Sequence, residues 1–382
     1  MTGIAHYWIW IVYSLVTIFS LFYVRLMFKY LRGWNRLSFT IPKNLSTSTK
    51  VSVVIACRNE ATNVRKCLDS LVNQSYNTAL YEVIIVNDHS VDDTPDIIQS
   101  YSNQFANVRL INLEEGTGKR AALSEGIKQA SGDFIMTTDG DCWVESTWIE
   151  SVVQVYESQQ SKMVLGPVRF TKGYNLLTKF QELDFIGMIG IAGGSASNGY
   201  PHVCNGANLS YEKSAFEQIQ GFDGEEKNPS GDDMILLQKM NAVYQNQIHF
   251  VKTNRAMTYT DVMHNWKDFL NQRIRWASKS GEMLDKKITL ILGSILVYNL
   301  IPVLLIINAI WIEELWLLLA MHVGLKFIVD SIFFSRILVF FERKSLLLFY
   351  PIAQVIHIFY IVVVGALSQF VSFDWKGRKI QA

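Results

Sequence analysis

Long apolar runs lie near both ends of the chain, whereas the middle has the mixed polarity of a soluble domain. Residues 7–28 are almost wholly apolar or aromatic, and three later apolar runs occupy 288–312, 315–341 and 346–373. About 20 apolar residues cross the hydrocarbon core of a bilayer. The pattern predicts an N-terminal transmembrane anchor with a basic juxtamembrane segment at 1–45, a soluble domain at 46–285 and a C-terminal transmembrane region at 286–382.

Positive charges indicate the orientation of the anchor. Lys29, Arg32, Arg36 and Lys43 follow the first apolar run, and the positive-inside rule assigns this side to the cytosol. A cleaved signal peptide would need a basic leader, a shorter core and a small-residue cleavage site, and the run lacks them. We therefore expect a multi-pass protein of the cell membrane, the inner membrane in a bacterium, with its soluble domain in the cytosol.

The topology of the C-terminal region stays open. Basic residues occur in the loop at Arg343-Lys344 and in the tail at 374–379, and three full spans cannot keep both inside. The middle run could instead be re-entrant. It carries Lys326 and Asp330, which are four residues apart and can pair on one helix face or contact the headgroup of a lipid acceptor.

Strand-like runs alternate with helical patterns in the first half of the soluble domain. β-branched runs occupy 51–56, 81–86, 108–112 and 132–138, and helical spacing occupies 63–71, 96–105 and 118–130. This alternation predicts an α/β domain with a mostly parallel sheet. Ligands bind at the carboxyl ends of strands in such sheets. Glu60, Asp88, Asp139 and Asp141 all follow predicted strands, so we expect them to gather on one rim.

The second half of the domain is less regular. The run 162–168 predicts a strand, and 176–192 and 213–220 predict helices. Glycines thin the end of the 176–192 segment, where they allow close packing or mark a mobile loop. Asp232-Asp233 opens a further apolar helix.

Composition and charge narrow the function class. The net charge is +1, so the chain lacks the overall excess of positive charge that is typical of nucleic-acid-binding proteins. The four cysteines have no metal-type spacing, and we expect reduced thiols in a cytosolic domain. Asp139-Gly140-Asp141 is the main chemical candidate, because two carboxylates at a strand end can hold a divalent cation with a diphosphate. Its glycine lets the backbone turn, although Asp-Gly is also common in ordinary turns.

Several of these charges also have a purely structural interpretation. Glu60 can cap the helix that follows it, and Asp92 and Asp93 fit a solvated turn. Lys119 fits a solvated charge at a helix start. Asp232-Asp233 fits a helix-capping pair, which the helix dipole would stabilise.

Four motifs together resemble the nucleotide-sugar half of family 2 glycosyltransferases, which have the GT-A fold. The motifs are Ala56-Cys57-Arg58-Asn59-Glu60, Val86-Asn87-Asp88-His89-Ser90-Val91-Asp92-Asp93-Thr94, Gly118-Lys119-Arg120-Ala121-Ala122-Leu123 and Asp139-Gly140-Asp141. The resemblance implies a Rossmann-like domain between transmembrane helices. The residues it implies for nucleotide-sugar binding are Ala56, Arg58, Glu60, Asp88, Lys119 and Asp139. Asp88 would contact the base, and Asp139 with Asp141 would hold Mg²⁺ or Mn²⁺ and the diphosphate. The family usually has two acidic residues at Asn87-Asp88 and a glycine at His89.

Later segments resemble the acceptor side of the same family. The family has a Glu/Asp-Asp pair at Asp232-Asp233, and the resemblance implies that Asp233 is the catalytic base that takes the acceptor proton. Gln272, Arg275 and Trp276 resemble the Gln-x-x-Arg-Trp motif of membrane-embedded members similar to cellulose and hyaluronan synthases and ceramide glucosyltransferase. With Asp232, they are implied to bind the acceptor or the diphosphate. A basic amphipathic helix at the membrane surface is the alternative for this motif.

These inferences predict a membrane-bound, metal-dependent, inverting glycosyltransferase. It would transfer a sugar from a nucleotide sugar, expected to be UDP-linked, to a lipid or polysaccharide acceptor at the cytosolic face. Expected partners are the donor, the acceptor, membrane lipids and export or assembly proteins, but not nucleic acid. The slim C-terminal region favours single or few additions over processive synthesis.

Two alternatives remain at this point. One is a membrane transporter or channel with a non-catalytic nucleotide-binding domain, although the chain has no Gly-x-x-x-x-Gly-Lys-Ser/Thr loop. The other is a relative that binds a nucleotide without catalysis, because Asp232 replaces the commoner Glu.

Overall fold

The structure is a computed structural model of the 382-residue chain. It describes residues 3–38, 47–223, 232–278, 284–368, 373–375 and 378–380; Lys43 and the side chains of the basic tail lie outside the described residues. The chain divides into two compact units. The unit called here the helical unit covers 1–32, 264–373 and 381–382, and the unit called the sheet unit covers 33–263 and 374–380.

The helices and strands follow one another along the described residues as a mixed series. In chain order they are α1 (Gly3–Arg36), β1 (Val51–Cys57), α2 (Val64–Val72), β2 (Tyr81–Asn87), α3 (Thr94–Gln104), β3 (Val108–Asn112), α4 (Lys119–Lys128), β4 (Phe134–Thr137), β5 (Cys142–Val144), α5 (Trp148–Gln159), β6 (Met163–Leu165), β7 (Val168–Phe170), α6 (Leu176–Ser197), β8 (Leu209–Glu212), α7 (Lys213–Gln218), α8 (Asp232–Val243), β9 (Ile248–Phe250), β10 (Thr258–Thr260), α9 (Trp266–Ser278), α10 (Lys286–Ala309), α11 (Glu314–Phe340), α12 (Leu346–Leu367), β11 (Phe373–Trp375) and β12 (Arg378–Ile380).

A seven-stranded sheet forms the centre of the sheet unit, in the order β3-β2-β1-β4-β8-β6-β9. β1 pairs in parallel with β2 and β4, and β2 pairs in parallel with β3. The predicted α/β sheet is confirmed, although β8 runs antiparallel to β4 and β6 and makes the sheet mixed. Consecutive residues Val53 and Val54 are both fully buried, as expected when helices cover both faces of a sheet. The strand order reverses between β1 and β4, where doubly wound sheets bind ligands.

The strand predicted at 162–168 is shorter than expected. β6 (Met163–Leu165) lies in the large sheet, and β7 (Val168–Phe170), which begins where the predicted strand ends, lies in a second sheet of order β5-β10-β7. Gly166 and Pro167 separate the two strands, and a proline has no N–H to donate to a ladder. The Asn208 side chain fixes the junction. Its amide nitrogen donates to the carbonyls of Pro167 and Ala256 at 2.8 and 2.9 Å, and its oxygen accepts the indole N–H of Trp148 at 3.0 Å.

The glycines of α6 pack closely and do not end the helix. α6 continues to Ser197, beyond the predicted 176–192. A Cβ at Gly193 would lie 2.9 Å from the ring of Trp34, so only glycine lets the indole approach this closely. The Lys252 ammonium donates to the Trp34 carbonyl at 2.7 Å, near the end of α1, where the helix dipole favours a cation. Of the two interpretations of these glycines, close packing is therefore confirmed.

The helical unit contains the long apolar segments. Among the described residues, four helices are long and apolar enough to cross a bilayer, namely α1, α10, α11 and α12. The middle C-terminal segment, α11, is one unbroken helix of 27 residues. Lys326 and Asp330 of this helix form the predicted pair, because Lys326 Nζ lies 2.6 Å from Asp330 Oδ2. The hydroxyls of Tyr23 and Tyr350 also donate to Asp330, at 2.5 and 2.8 Å. Lys326 and Asp330 are thus paired and hydrogen-bonded within this apolar segment.

Candidate active site

Asp88 lies at the carboxyl end of β2, with only 1% of its surface exposed. Its Oδ2 accepts the N–H of Gly118 at 3.1 Å, and its own N–H donates to the Cys57 carbonyl at 2.8 Å. Arg58 Nη1 donates to the carbonyls of Asp88 and His89 at 2.7 and 3.1 Å. The ends of β1 and β2 and the start of α4 therefore hold Asp88 in one orientation.

The Asp139-Gly140-Asp141 loop follows β4 and offers a set of metal ligands. One carboxylate oxygen from each of Asp139 and Asp141 and the Sγ of Cys142 lie within 4.8 Å of one another. Because carboxylate oxygens suit hard divalent cations, these residues fit a metal ion. Burial, followed by the carboxylates of Asp141 and Asp139, raises the pKa of the Cys142 thiol. The sequence analysis missed Cys142, although its position directly after Asp141 was a usable signal.

Gly140 is required by a close approach of the backbone. A Cβ at this position would lie 2.6 Å from Cys57 Sγ and 3.3 Å from Glu60 Cγ. The thiol of Cys67 donates to the Asp139 carbonyl at 3.7 Å. The metal loop therefore rests on the end of β1 and on α2, and Glu60 lies beside it.

Lys119 lies between the metal loop and α8. Its ammonium forms an ion pair with Asp139. Burial acts to lower the pKa of Lys119, but Asp139, and then Asp233 and Asp232, raise it above the usual value. The side chain is therefore cationic at neutral pH. The interpretation of Lys119 as a solvated helix-start charge is wrong, because its head group is committed to these carboxylates.

The two adjacent carboxylates of α8 make different contacts. Asp233 Oδ2 accepts the N–H of Gly206 at 3.1 Å, and a Cβ built on Gly206 would lie 3.4 Å from Lys119 Nζ. Asp232 is buried, and its Oδ1 accepts Arg120 Nε–H at 2.8 Å. Asp233 and Lys119 therefore share one part of the site, while Asp232 is held by Arg120. Arg120 and Gly206 were missed by the sequence analysis, because only the fold brings them to α8.

Asp92 and Asp93 lie in a bend, as the turn interpretation expects, and Asp92 also ties two loops together. Its carboxylate accepts the Ala61 N–H at 3.1 Å, and the N–H and hydroxyl of Thr94 at 3.1 and 2.5 Å. Partial burial opposes ionisation, but the hydrogen bonds from Thr94 and Ala61 lower the pKa of Asp92. Glu60 starts the turn into α2, since its carbonyl accepts the Asn63 N–H at 2.9 Å and its Oε2 accepts the Asn63 amide at 3.0 Å.

The remaining predicted residues lie on α9, in the helical unit. Arg273 is the buried arginine of this helix, and its guanidinium lies 4.2 Å from the ring centre of Trp276. Gln272 and Arg275 are partly exposed. The structure thus gathers Asp88, Lys119, Asp139, Asp141, Asp232 and Asp233 in the sheet unit. The role of Gln272, Arg275 and Trp276 stays a prediction.

Comparisons of the sequence with known proteins agree on one family. Residues 52–220 match the model described as Glycosyl transferase family 2. The chain is 28% identical over 273 residues to the "Probable glycosyltransferase YdaM" of Bacillus subtilis, a match that covers 69% of this chain and 64% of that protein. It is 27% identical over 236 residues to a poly-beta-1,6-N-acetyl-D-glucosamine synthase of Staphylococcus epidermidis, with 61% and 55% covered. The chain thus spans less than two thirds of these relatives' lengths.

A solved structure supports the same assignment of the fold. The mannosyltransferase PcManGT from Pyrobaculum calidifontis, in complex with GDP-Man and Mn²⁺, matches with a TM-score of 0.61 and 16% identity, over 91% of this chain and 99% of that chain. The alternative of a transporter or channel is not favoured, because the matched proteins are glycosyltransferases. The family match, the relatives and the fold agree, and residues 52–220 therefore form a domain of glycosyl transferase family 2 with the GT-A fold, preceded and followed along the chain by apolar helices.

Proposed function

We propose that the protein is a membrane-bound glycosyltransferase that moves a sugar, with inversion, from a nucleotide sugar to a lipid or growing glycan at the cytosolic face. The main support is that Lys119 links the metal loop, through Asp139, to the carboxylates that open α8. Asp88 accepts the N–H of Gly118, which precedes Lys119 at the start of α4. Groups suited to binding the nucleotide base, binding the diphosphate and taking the proton of the acceptor thus meet around residues 118–119.

In the proposed reaction, the protein binds the nucleoside and the diphosphate of the donor and removes one proton from the acceptor. Asp88 would bind the nucleoside, and the Lys119 cation would offset the charge of the diphosphate. Asp233, oriented by the Gly206 N–H, would take the proton of the acceptor hydroxyl as its oxygen attacks the anomeric carbon and the diphosphate leaves. Mn²⁺ or Mg²⁺ held by Asp139 and Asp141 would supply charge stabilisation for the leaving group.

The identity of the substrates is also a proposal. The name of the Staphylococcus epidermidis relative, a poly-beta-1,6-N-acetyl-D-glucosamine synthase, favours a growing glycan as the acceptor. The UDP-linked donor is proposed from the resemblance of the sequence motifs, whereas the fold neighbour was solved with GDP-Man. The four apolar helices support a membrane location, and the basic residues after the first apolar run support a cytosolic domain. Gln272, Arg275 and Trp276 are proposed to act on the acceptor side.

The test uses full-length protein in detergent, with a panel of UDP- and GDP-linked sugars, Mn²⁺ or Mg²⁺, and then a chelator. Transfer or donor hydrolysis should occur with one donor and stop with the chelator, and the product length will separate single addition from polymer synthesis. Asp233→Asn should lower transfer about 10²- to 10⁴-fold while nucleotide binding and Tm remain. Asp223→Asn removes an exposed carboxylate and is the matched control. A fully active Asp233→Asn protein would refute the role of the base, and nucleotide binding without sugar release from any donor would refute the reaction.

A further inference from the structure

Two consecutive cations at the start of α4 bind carboxylates in two different parts of the site. Lys119 pairs with Asp139 of the metal loop, and Arg120 Nε lies 2.8 Å from Asp232 Oδ1. The second pair is largely buried, since its side chains are only 17% and 9% exposed. A buried ion pair is weak evidence for stability, because desolvation offsets much of the attraction. The position of the pair beside the proposed base points to a role in the reaction.

That role follows from the charge next to Asp233. Two neighbouring carboxylates hinder each other's ionisation, and Asp232 directly precedes Asp233. Lys119 from α4 and Asp139 from the metal loop also lie here. Two further titratable groups face the pair, namely the hydroxyl of Tyr211 from β8, whose pKa is raised by burial and by Asp232, and the thiol of Cys204, which donates to the Asp233 carbonyl at 3.2 Å. Lys119 forms its ion pair with Asp139. Arg120 forms its ion pair with Asp232 and is therefore the cation that most directly offsets the charge of Asp232. The bond through Nε also fixes the direction of the Asp232 carboxylate, and with it the start of α8.

We propose that Arg120 is a positioning residue for sugar transfer, which binds Asp232, orients the first turn of α8 and offsets the charge beside Asp233. This inference rests on the proposed function. It also explains how the shorter Asp232 serves where the family more often has Glu, because the arginine side chain reaches it from α4. Arg120 acts through Asp232, so its loss should change the rate and the pH dependence of transfer more than the affinity for the donor.

The central experiment compares Arg120→Gln, Asp232→Asn and the double variant in the detergent transfer assay. Arg120→Gln should lower kcat about 10- to 100-fold and change the donor KM less than about threefold, because the loss lies in the reacting geometry. Removing a cation disfavours ionised carboxylates, so the acidic limb of the pH profile of kcat should move to higher pH. Asp232→Asn should move that limb to lower pH, and the double variant should return it close to the wild-type position. Arg120→Lys keeps the charge, so the acidic limb of its pH profile should stay near the wild-type position while kcat falls.

Arg255→Gln is the matched control. Arg255 forms a more exposed ion pair with Glu150, at 3.1 Å, elsewhere in the sheet unit, and its loss should leave the pH profile unchanged. Tm and the binding of UDP or GDP report the folding of every variant. If Arg120→Gln shows wild-type kcat and an unmoved acidic limb, the inference is wrong. A lower Tm with an unmoved limb in Arg120→Gln would also overturn it, since that pattern means a structural role alone. If Arg120→Gln does not fold, an unmoved limb in Asp232→Asn would overturn the inference instead. Nucleotide binding without sugar release from any donor, in the wild type, would instead overturn the proposed function itself.

Discussion

Replacement of Gly140 by alanine tests the packing under the metal loop. The added Cβ would lie 2.6 Å from Cys57 Sγ and 3.3 Å from Glu60 Cγ, whereas optimal non-bonded carbon contacts are about 3.5–4.0 Å. Cys57 is buried at the end of β1, so its sulfur has no free space to enter. The loop itself must therefore shift, by about 1 Å by comparison with these contact distances.

The size of the effect follows from that overlap. Overpacking of a buried site costs about 1–3 kcal/mol, and about 2–4 °C of Tm accompanies each kcal/mol in a domain of this size. Gly140→Ala should therefore lower Tm by about 2–12 °C. The same shift moves the carboxylates of Asp139 and Asp141, so the affinity for Mn²⁺ should fall about 10- to 100-fold, as for other changes next to metal ligands.

The assay needs two measurements on full-length protein in detergent. Tryptophan fluorescence during heating gives Tm, and the electron paramagnetic resonance signal of free Mn²⁺ gives the affinity. Cys57→Ala removes the sulfur that the new Cβ would meet, so Gly140→Ala with Cys57→Ala should regain most of the Mn²⁺ affinity. Cys57→Ala alone should be destabilising through the cavity that it leaves. The reasoning is refuted if Gly140→Ala keeps both wild-type values, or if the double variant binds Mn²⁺ no better than Gly140→Ala.

Two further predictions concern individual charges. Lys119→Met removes the partner of Asp139 and should lower kcat/KM for the donor about 10- to 100-fold, or about 1.4–2.8 kcal/mol, in steady-state transfer assays; Lys119→Arg should retain part of the rate, and a fully active Lys119→Met protein would contradict the role. The lowered pKa of Asp92 means that its stabilisation is complete above the pKa of about 3.9 of an unfolded Asp and is lost as the pH falls through the lower folded value. Between pH 5 and pH 2, Tm should therefore fall more in the wild type than in Asp92→Asn, and equal falls would be the contrary result.

The sequence by itself predicts the local elements and part of the site. β-branched runs and helical spacing predict β1 to β4 and α2 to α4, because these patterns depend on residues close in the chain. The rim containing Asp88 and Asp139 is also predictable, because parallel strands bring their carboxyl ends to the same edge. The long apolar runs predict α1 and the C-terminal helices through their length alone.

Only the tertiary structure decides which distant residues meet. Arg120 and Asp232 are 112 residues apart, and no local pattern relates the two. The contact that makes Gly140 necessary comes from Cys57, at the end of β1. The break between β6 and β7 likewise depends on which sheet each half joins. Local propensity acts over a few residues, whereas ion pairs and close contacts depend on how the completed sheet and helices pack, so the tertiary fold completes the site.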